Sequence, residues 1–142
     1  MNIRMTNNPT REDIDEIHCA LKAYNLSKRE PSENVPIGVF LEDESQVKKA
    51  GLTGEIFGNW LCIKYLWVSD SLRHQGIGSS LIKKAEDEAI RQGAKYAFVD
   101  TFSFQAPEFY RKLGFKEVFQ LKEYPYTGFR SYFGKELKSG QQ

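Results

Sequence analysis

Cysteine and histidine are scarce: Cys19, Cys62, His18 and His74 are the only examples among 142 residues. No metal-ligand spacing joins them, so no metal is expected, and two cysteines this far apart read as free thiols. No apolar run approaches the roughly 20 residues that cross a bilayer, so no membrane partner is expected either. Neither sign of charge is in excess, with 20 basic against 19 acidic residues for a net charge of +1. Without a general positive field, nucleic acid is not an expected partner. The opening MNIRMTNNPTRED lacks the apolar stretch of a secretory signal, and a cytoplasmic location is the expectation. What is present is a hydrophobic fraction of 40%, aromatics at 13%, and a length suited to one core. Residues 1–138 are therefore read as a single domain and 139–142 as a short tail.

Asn2 to Thr6 reads as a short first strand. Thr10 then precedes REDIDEIHCALKAYNLSK, where Ile14, Ile17, Leu21 and Tyr24 recur at helical spacing. With Asp13 three residues on, Thr10 suggests a capping box and a helix from about Thr10 to Leu26. KREPSENVP is a connector, after which IGVFLED, VKKAGLTGEIF and NWLCIKYLWVSD predict an antiparallel meander from Ile37 onward. In the next helix Ile77, Leu81, Ala85 and Ala89 form one stripe, and Gly93 ends it. Its outer face offers Lys84 with Glu88 and Asp87 with Arg91 as pairs four apart. KYAFVDTF is a strand, Pro107 opens a short helix that Gly114 closes, and Phe115–Leu121 and Phe129–Leu137 are two last strands joined by KEYPYTG. These elements predict an α+β (mixed α/β) domain, with a central twisted mixed sheet of about seven strands flanked by helices.

The most informative stretch is LRHQGIGSSLIKKAEDEAIRQG, where Gly76 and Gly78 stand at a helix start. Free N–H groups there favour an anion, and glycine lets backbone approach it. A dinucleotide fingerprint would need a third glycine at the position of Leu81, and a Walker loop would need Gly-Lys-Ser/Thr; both fail. An Arg/Gln-x-x-Gly-x-Gly/Ala pattern between strand and helix remains.

VSDSLRHQGIGSSLI resembles the acetyl-CoA loop of the GNAT superfamily of N-acetyltransferases, with Arg73, Gly76 and Gly78 on the motif positions. FQAPEFYRKLGF resembles the second signature of the same family, and the order of elements extends the likeness from Asn2 to Leu137. The resemblance implies that acetyl-CoA is the co-substrate. Its pyrophosphate would lie on the backbone N–H groups of Arg73, His74, Gln75, Gly76, Ile77, Gly78 and Ser79, at the positive end of the helix dipole. It further implies a bulged strand near Leu66, Trp67 and Val68, whose backbone pairs with the pantetheine arm, and an oxyanion donor at Trp67 or Val68. Tyr110 falls on the family's general-acid position. Gln105 stands where many members carry an asparagine that bonds the pantetheine or an ordered water, and the resemblance makes it a cofactor-binding candidate.

The function so implied is transfer of an acetyl group directly to a primary amine, expected to be that of a small molecule. The alternatives weighed are a peptide or lysine acetyltransferase and a silent module that holds coenzyme A without turnover. The resemblance also carries a homodimer as the oligomeric expectation. No carboxylate is found at the strand position near Cys62 where some members carry their base. Glu55 and Glu123 are the candidate substitutes, acting through water, and each is more often a solvated surface charge.

Overall fold

Thr10 starts the first helix as its chemistry suggests. Its hydroxyl accepts from the Asp13 N–H, and the Asp13 carboxylate accepts from the Thr10 N–H, a reciprocal capping box that satisfies two otherwise orphaned donors. This helix, α1, runs Arg11–Lys28. The computed structural model describes residues 1–30 and 32–138, so the tail read at 139–142 lies outside the described residues. Two compact units are formed, Met1–Ser32 and Glu33–Gln142. In the first, Asn2–Thr6 takes no regular structure, which corrects the expected first strand. A bend at Asn7 and Asn8 and then Pro9 follow at once, and five residues without a ladder partner do not hold a strand.

Among its described residues the second unit holds one sheet of six strands, against the seven expected: β1 Asn34–Glu42, β2 Lys48–Phe57, β3 Trp60–Val68, β4 Tyr96–Phe102, β5 Lys116–Lys122 and β6 Phe129–Glu136. Their order is β1-β2-β3-β4-β6-β5. Only β3 and β4 are parallel, and helix α2, Ile77–Arg91, makes the crossover between them, as parallel neighbours require. Strand β1 begins at Asn34, inside the expected connector.

Along β3 and β4, Leu61, Ile63, Ala97, Val99 and Thr101 are buried on the face that α2 covers with Leu81, Ile82, Ala85 and Ala89. Full burial of a leucine such as Leu52 or Leu61 contributes about 1.5–3 kcal/mol. Cys62, Phe98, Asp100 and Phe102 alternate onto the opposite face. Helix α3, Pro107–Lys112, follows β4 and ends at Gly114.

The outer face of α2 pairs differently from the expected spacing. Arg91 donates to both oxygens of Glu88, and Lys83 rather than Arg91 pairs with Asp87. A planar guanidinium three residues on bridges the Glu88 carboxylate in two bonds, which a lysine cannot do. Glu86 was not singled out in the sequence, yet it is buried on the inner face. Lys135 Nζ of β6 donates to its Oε2 at 2.8 Å, and both side chains are only 10% exposed. Replacing Lys135 by methionine is expected to cost about 3–5 kcal/mol, because it strands a buried carboxylate. The double variant Glu86→Leu/Lys135→Met should recover most of that loss; urea denaturation of both variants measures it.

Candidate active site

Strands β3 and β4 pair only at Trp60–Tyr96, Leu61–Ala97 and Cys62–Phe98. Beyond Cys62 each continues for several residues without the other, so the sheet opens as a wedge in its middle. The cause begins on the β2 side. Between Ile63, opposite Gly54, and Tyr65, opposite Thr53, Lys64 is left without a partner. This single-residue bulge twists β3 away from β4. It lies at Lys64, not near Leu66–Val68 as expected, and it still sets the direction of those residues. Ser69 N–H donates to Lys49 O at 2.9 Å, so pleating turns the N–H groups of Trp67 and Tyr65 toward β2 as well. Those of Leu66 and Val68 then face the wedge. The Trp67 N–H is thereby committed to the ladder and withdrawn as an oxyanion donor.

Beyond Val68 the chain makes a short turn, Asp70–Leu72, and enters α2 through two left-handed residues, His74 with φ 64° and Gly76 with φ 78°. Nothing lies within 4 Å of where a Gly76 Cβ would stand. No side chain caps α2 and no acid occupies its first turn. Ser80 N–H is the first to bond back, to Gly76 O, so the N–H groups of Ile77, Gly78 and Ser79 remain open at the positive end of the helix. A negatively charged diphosphate fits such a terminus.

Gly78 has a packing role beside the one read in sequence. A Cβ there would come within 3.1 Å of Phe109 Cζ and 3.9 Å of Val68 Cγ2, so this glycine lets α2 and α3 approach each other. Arg73 folds back over its own loop, its Nε donating to Val68 O at 3.3 Å while Nη2 pairs with Asp70 at the same distance. Gln75 Nε2 donates to Ser71 O. These side chains brace the loop and do not cover its backbone N–H groups at the start of α2.

Tyr110 is held on α3 with its ring edge-on to Phe109 and Phe115, at centroid distances of 5.2 and 5.8 Å, and tilted over Phe133. The ring is buried, yet its hydroxyl bonds no other described residue and is not among the fully enclosed orphan atoms. Burial first, and the Asp100 carboxylate second, push its pKa up to about 12. It is a phenol that keeps its proton and has no acceptor for it among the described residues. Gln105 has been recruited to the turn after β4, where its Oε1 accepts from Phe102 N–H at 2.7 Å and from Thr101 Oγ1 at 3.1 Å. The extra methylene reaches back to the strand end, so this carbonyl closes a turn.

Glu55 stands opposite Cys62 and is paired with Lys64 at 3.3 Å. Glu123 sits in the turn after β5 with φ 52°. Burial, then Glu55 and Asp100, raise the Cys62 pKa, although Lys64 opposes them. Asp100, Tyr124 and Arg130 were not singled out in the sequence. The available signal was an aspartate in the middle of the apolar strand YAFVDTF. Among the described residues no three His, Cys, Asp or Glu side chains gather as a metal site, and no helix is long and apolar enough to cross a membrane.

Comparison with known proteins agrees with this geometry. Residues 36–117 match the acetyltransferase (GNAT) domain family. An acetyltransferase from Bacillus cereus ATCC 14579, known from its crystal structure, is 32% identical over 94% of this chain and 98% of its own, with a TM-score of 0.81. Acetyltransferase Atu2258 of Agrobacterium fabrum strain C58 is 29% identical over 83% of this chain and 86% of its own length. Blasticidin-S acetyltransferase of Streptomyces morookaense is 38% identical over a shorter match, 53% of this chain and 56% of its own. A family match over more than half the chain, together with a relative alike over nearly all of it, leads to one assignment: this chain belongs to the GNAT superfamily of acetyl-CoA-dependent N-acetyltransferases.

Proposed function

We propose that the acceptor is the primary amine of a small molecule and that it meets acetyl-CoA in the wedge between β3 and β4. The observation that carries this reading is Tyr110, a protonated phenol with no acceptor among the described residues, in a sheet whose central strands have separated. The amine nitrogen bonds to the acetyl carbon as the C–S bond breaks, the departing sulfur takes the Tyr110 proton, the amine loses one proton to water, and the Tyr110 phenolate takes a proton back from water. The Val68 N–H, turned toward the wedge, stabilises the charge that develops on the carbonyl oxygen. The backbone of Leu66 and Val68 pairs with the pantetheine arm, and the uncapped start of α2 holds the diphosphate. That a relative bears the name of a small antibiotic, blasticidin S, supports a small acceptor over a peptide.

The test is a thermal-shift screen with acetyl-CoA, followed by a panel of primary amines read by free thiol release. Absence of thiol release with every small amine, alongside acetylation of a lysine peptide, would overturn the small-acceptor reading. Size-exclusion chromatography with light scattering tests the homodimer that the family resemblance implies.

Cys62 is not a nucleophile in this scheme. Its thiol is pushed away from ionisation by burial and two carboxylates, and a thiol that does not ionise does not attack. Cys62→Ala is expected to keep kcat within about threefold of the parent, with intersecting initial-rate lines. Parallel lines with a trapped acetyl-enzyme would reverse this.

A further inference from the structure

The sheet face turned away from α2 carries a polar cluster to which the reading above gives no task. Asp100 lies two residues beyond Phe98, the last β4 position paired with β3, and so stands at the mouth of the wedge. Alternation with buried Val99 and Thr101 puts its side chain on the same face as Cys62 and Phe98.

Arg130 of β6 donates from Nε to Asp100 Oδ1 at 2.9 Å, and its Nη2 stands 2.8 Å from the same oxygen as an ion pair. Its third nitrogen, Nη1, donates to the Tyr124 hydroxyl at 3.3 Å. The rings of Phe102, Tyr124 and Tyr132 lie 5.3, 5.8 and 5.3 Å from its central carbon. The guanidinium is thus engaged at its edges and its faces and holds the carboxylate in one orientation. The other oxygen, Asp100 Oδ2, accepts no hydrogen bond among the described residues, and the side chain is 27% exposed. Glu55, the other carboxylate near Cys62, is occupied by Lys64.

A fixed carboxylate oxygen with free lone pairs, surrounded by aromatic rings at the mouth of a reaction wedge, suits a ligand with an ammonium or amine head and an apolar body. Positively charged heads are also favoured near such rings. We propose that Asp100 binds the amine nitrogen of the acceptor through Oδ2, with Phe98, Phe102 and Tyr132 as the apolar wall for the rest of that molecule. This rests on the small-amine reading and narrows it to amines that arrive as cations carrying an apolar or aromatic body and give their extra proton to water before the nitrogen attacks. The same carboxylate is close enough to the transfer chemistry to be felt by both Tyr110 and Cys62.

The probe is phenethylammonium, titrated calorimetrically into the full chain saturated with coenzyme A. Wild type should bind it, and 2-phenylethanol, which keeps the ring without the ammonium, should bind far more weakly. Asp100→Asn should bind phenethylammonium about 10- to 100-fold more weakly, the loss expected for one charged hydrogen bond. That variant leaves Arg130 without its carboxylate, so Asp100→Asn/Arg130→Gln, which removes both charges, is measured beside it and should show the same loss. Both should keep the acetyl-CoA thermal shift of the parent. Equal affinity of parent and variants for phenethylammonium, or no binding by the parent, would overturn the proposal. Asp100-dependent binding without thiol release from any amine would instead overturn the small-amine transfer reading and leave the ammonium site standing.

Discussion

Tyr110→Phe is expected to lower kcat about 100-fold while acetyl-CoA affinity and stability stay close to the parent's. The ring keeps its edge contacts with Phe109 and Phe115. Because the hydroxyl bonds no other described residue, its removal orphans no buried partner, and the cost in stability should be under about 1 kcal/mol. What is lost is the proton for the departing sulfur. The pH dependence follows from the same group. Burial raises the Tyr110 pKa to about 12 in the folded chain, above the roughly 10 of a free tyrosine. The protonated phenol is therefore the form that folding favours. Its contribution is fully present below about pH 10 and is lost as the pH rises through the folded value of about 12. Ionisation of Tyr110 should thus give no falling limb in kcat/KM across the neutral and mildly alkaline range, and the rising limb should follow the pKa of the amine used. Rate profiles with two amines of different pKa, for parent and variant, measure this. An undiminished kcat in Tyr110→Phe would reduce Tyr110 to a packing residue.

Gly76→Asp should abolish the stabilisation that acetyl-CoA gives, which for a ligand at 100 times its dissociation constant is about 2.7 kcal/mol. At φ 78° with open space around the missing Cβ, the position admits an aspartate sterically. Aspartate is among the few residues that tolerate the left-handed region, at a cost on the order of 1 kcal/mol. Its charge at the positive end of α2 offsets part of that cost, so the apo protein should stay folded. The carboxylate then occupies the place and the field meant for a diphosphate. Gly76→Asn, of the same size and the same tolerance but uncharged, should retain more of the acetyl-CoA shift, which separates charge from bulk. A folded Gly76→Asp that keeps the full thermal shift would refute the loop assignment. Gly78 is not the place for this test, because a side chain there meets Phe109 before it meets any ligand.

Features governed by neighbours three or four residues apart were legible in the sequence. The capping box of Thr10 and Asp13, the α2 stripe and the Pro107-to-Gly114 helix depend on local backbone geometry, and the structure has each where the spacing predicts it. The open helix start of α2 belongs with them, since a helix start, an absent cap and a glycine at positive φ are all short-range properties. Even here the two glycines divided their work in a way no spacing shows, because only the packing of α3 on α2 brings Phe109 against Gly78.

Tertiary structure alone decided where the sheet opens and what stands at the opening. The bulge at Lys64 arises from register between β2 and β3, and the wedge from a parallel pairing of β3 with β4 that stops after three residues. Asp100 and Arg130 lie 30 residues apart and meet only because β6 inserts beside β4 rather than beyond β5. Glu86 and Lys135, 49 residues apart, pair for a similar long-range reason, and without Lys135 the glutamate would be an error in a core helix. Hydrophobic periodicity records which face of an element turns inward, since each residue carries that preference itself. A charged side chain at an inward or half-buried position records only that a partner is needed; which partner it finds is set by strand order, a property of the whole sheet.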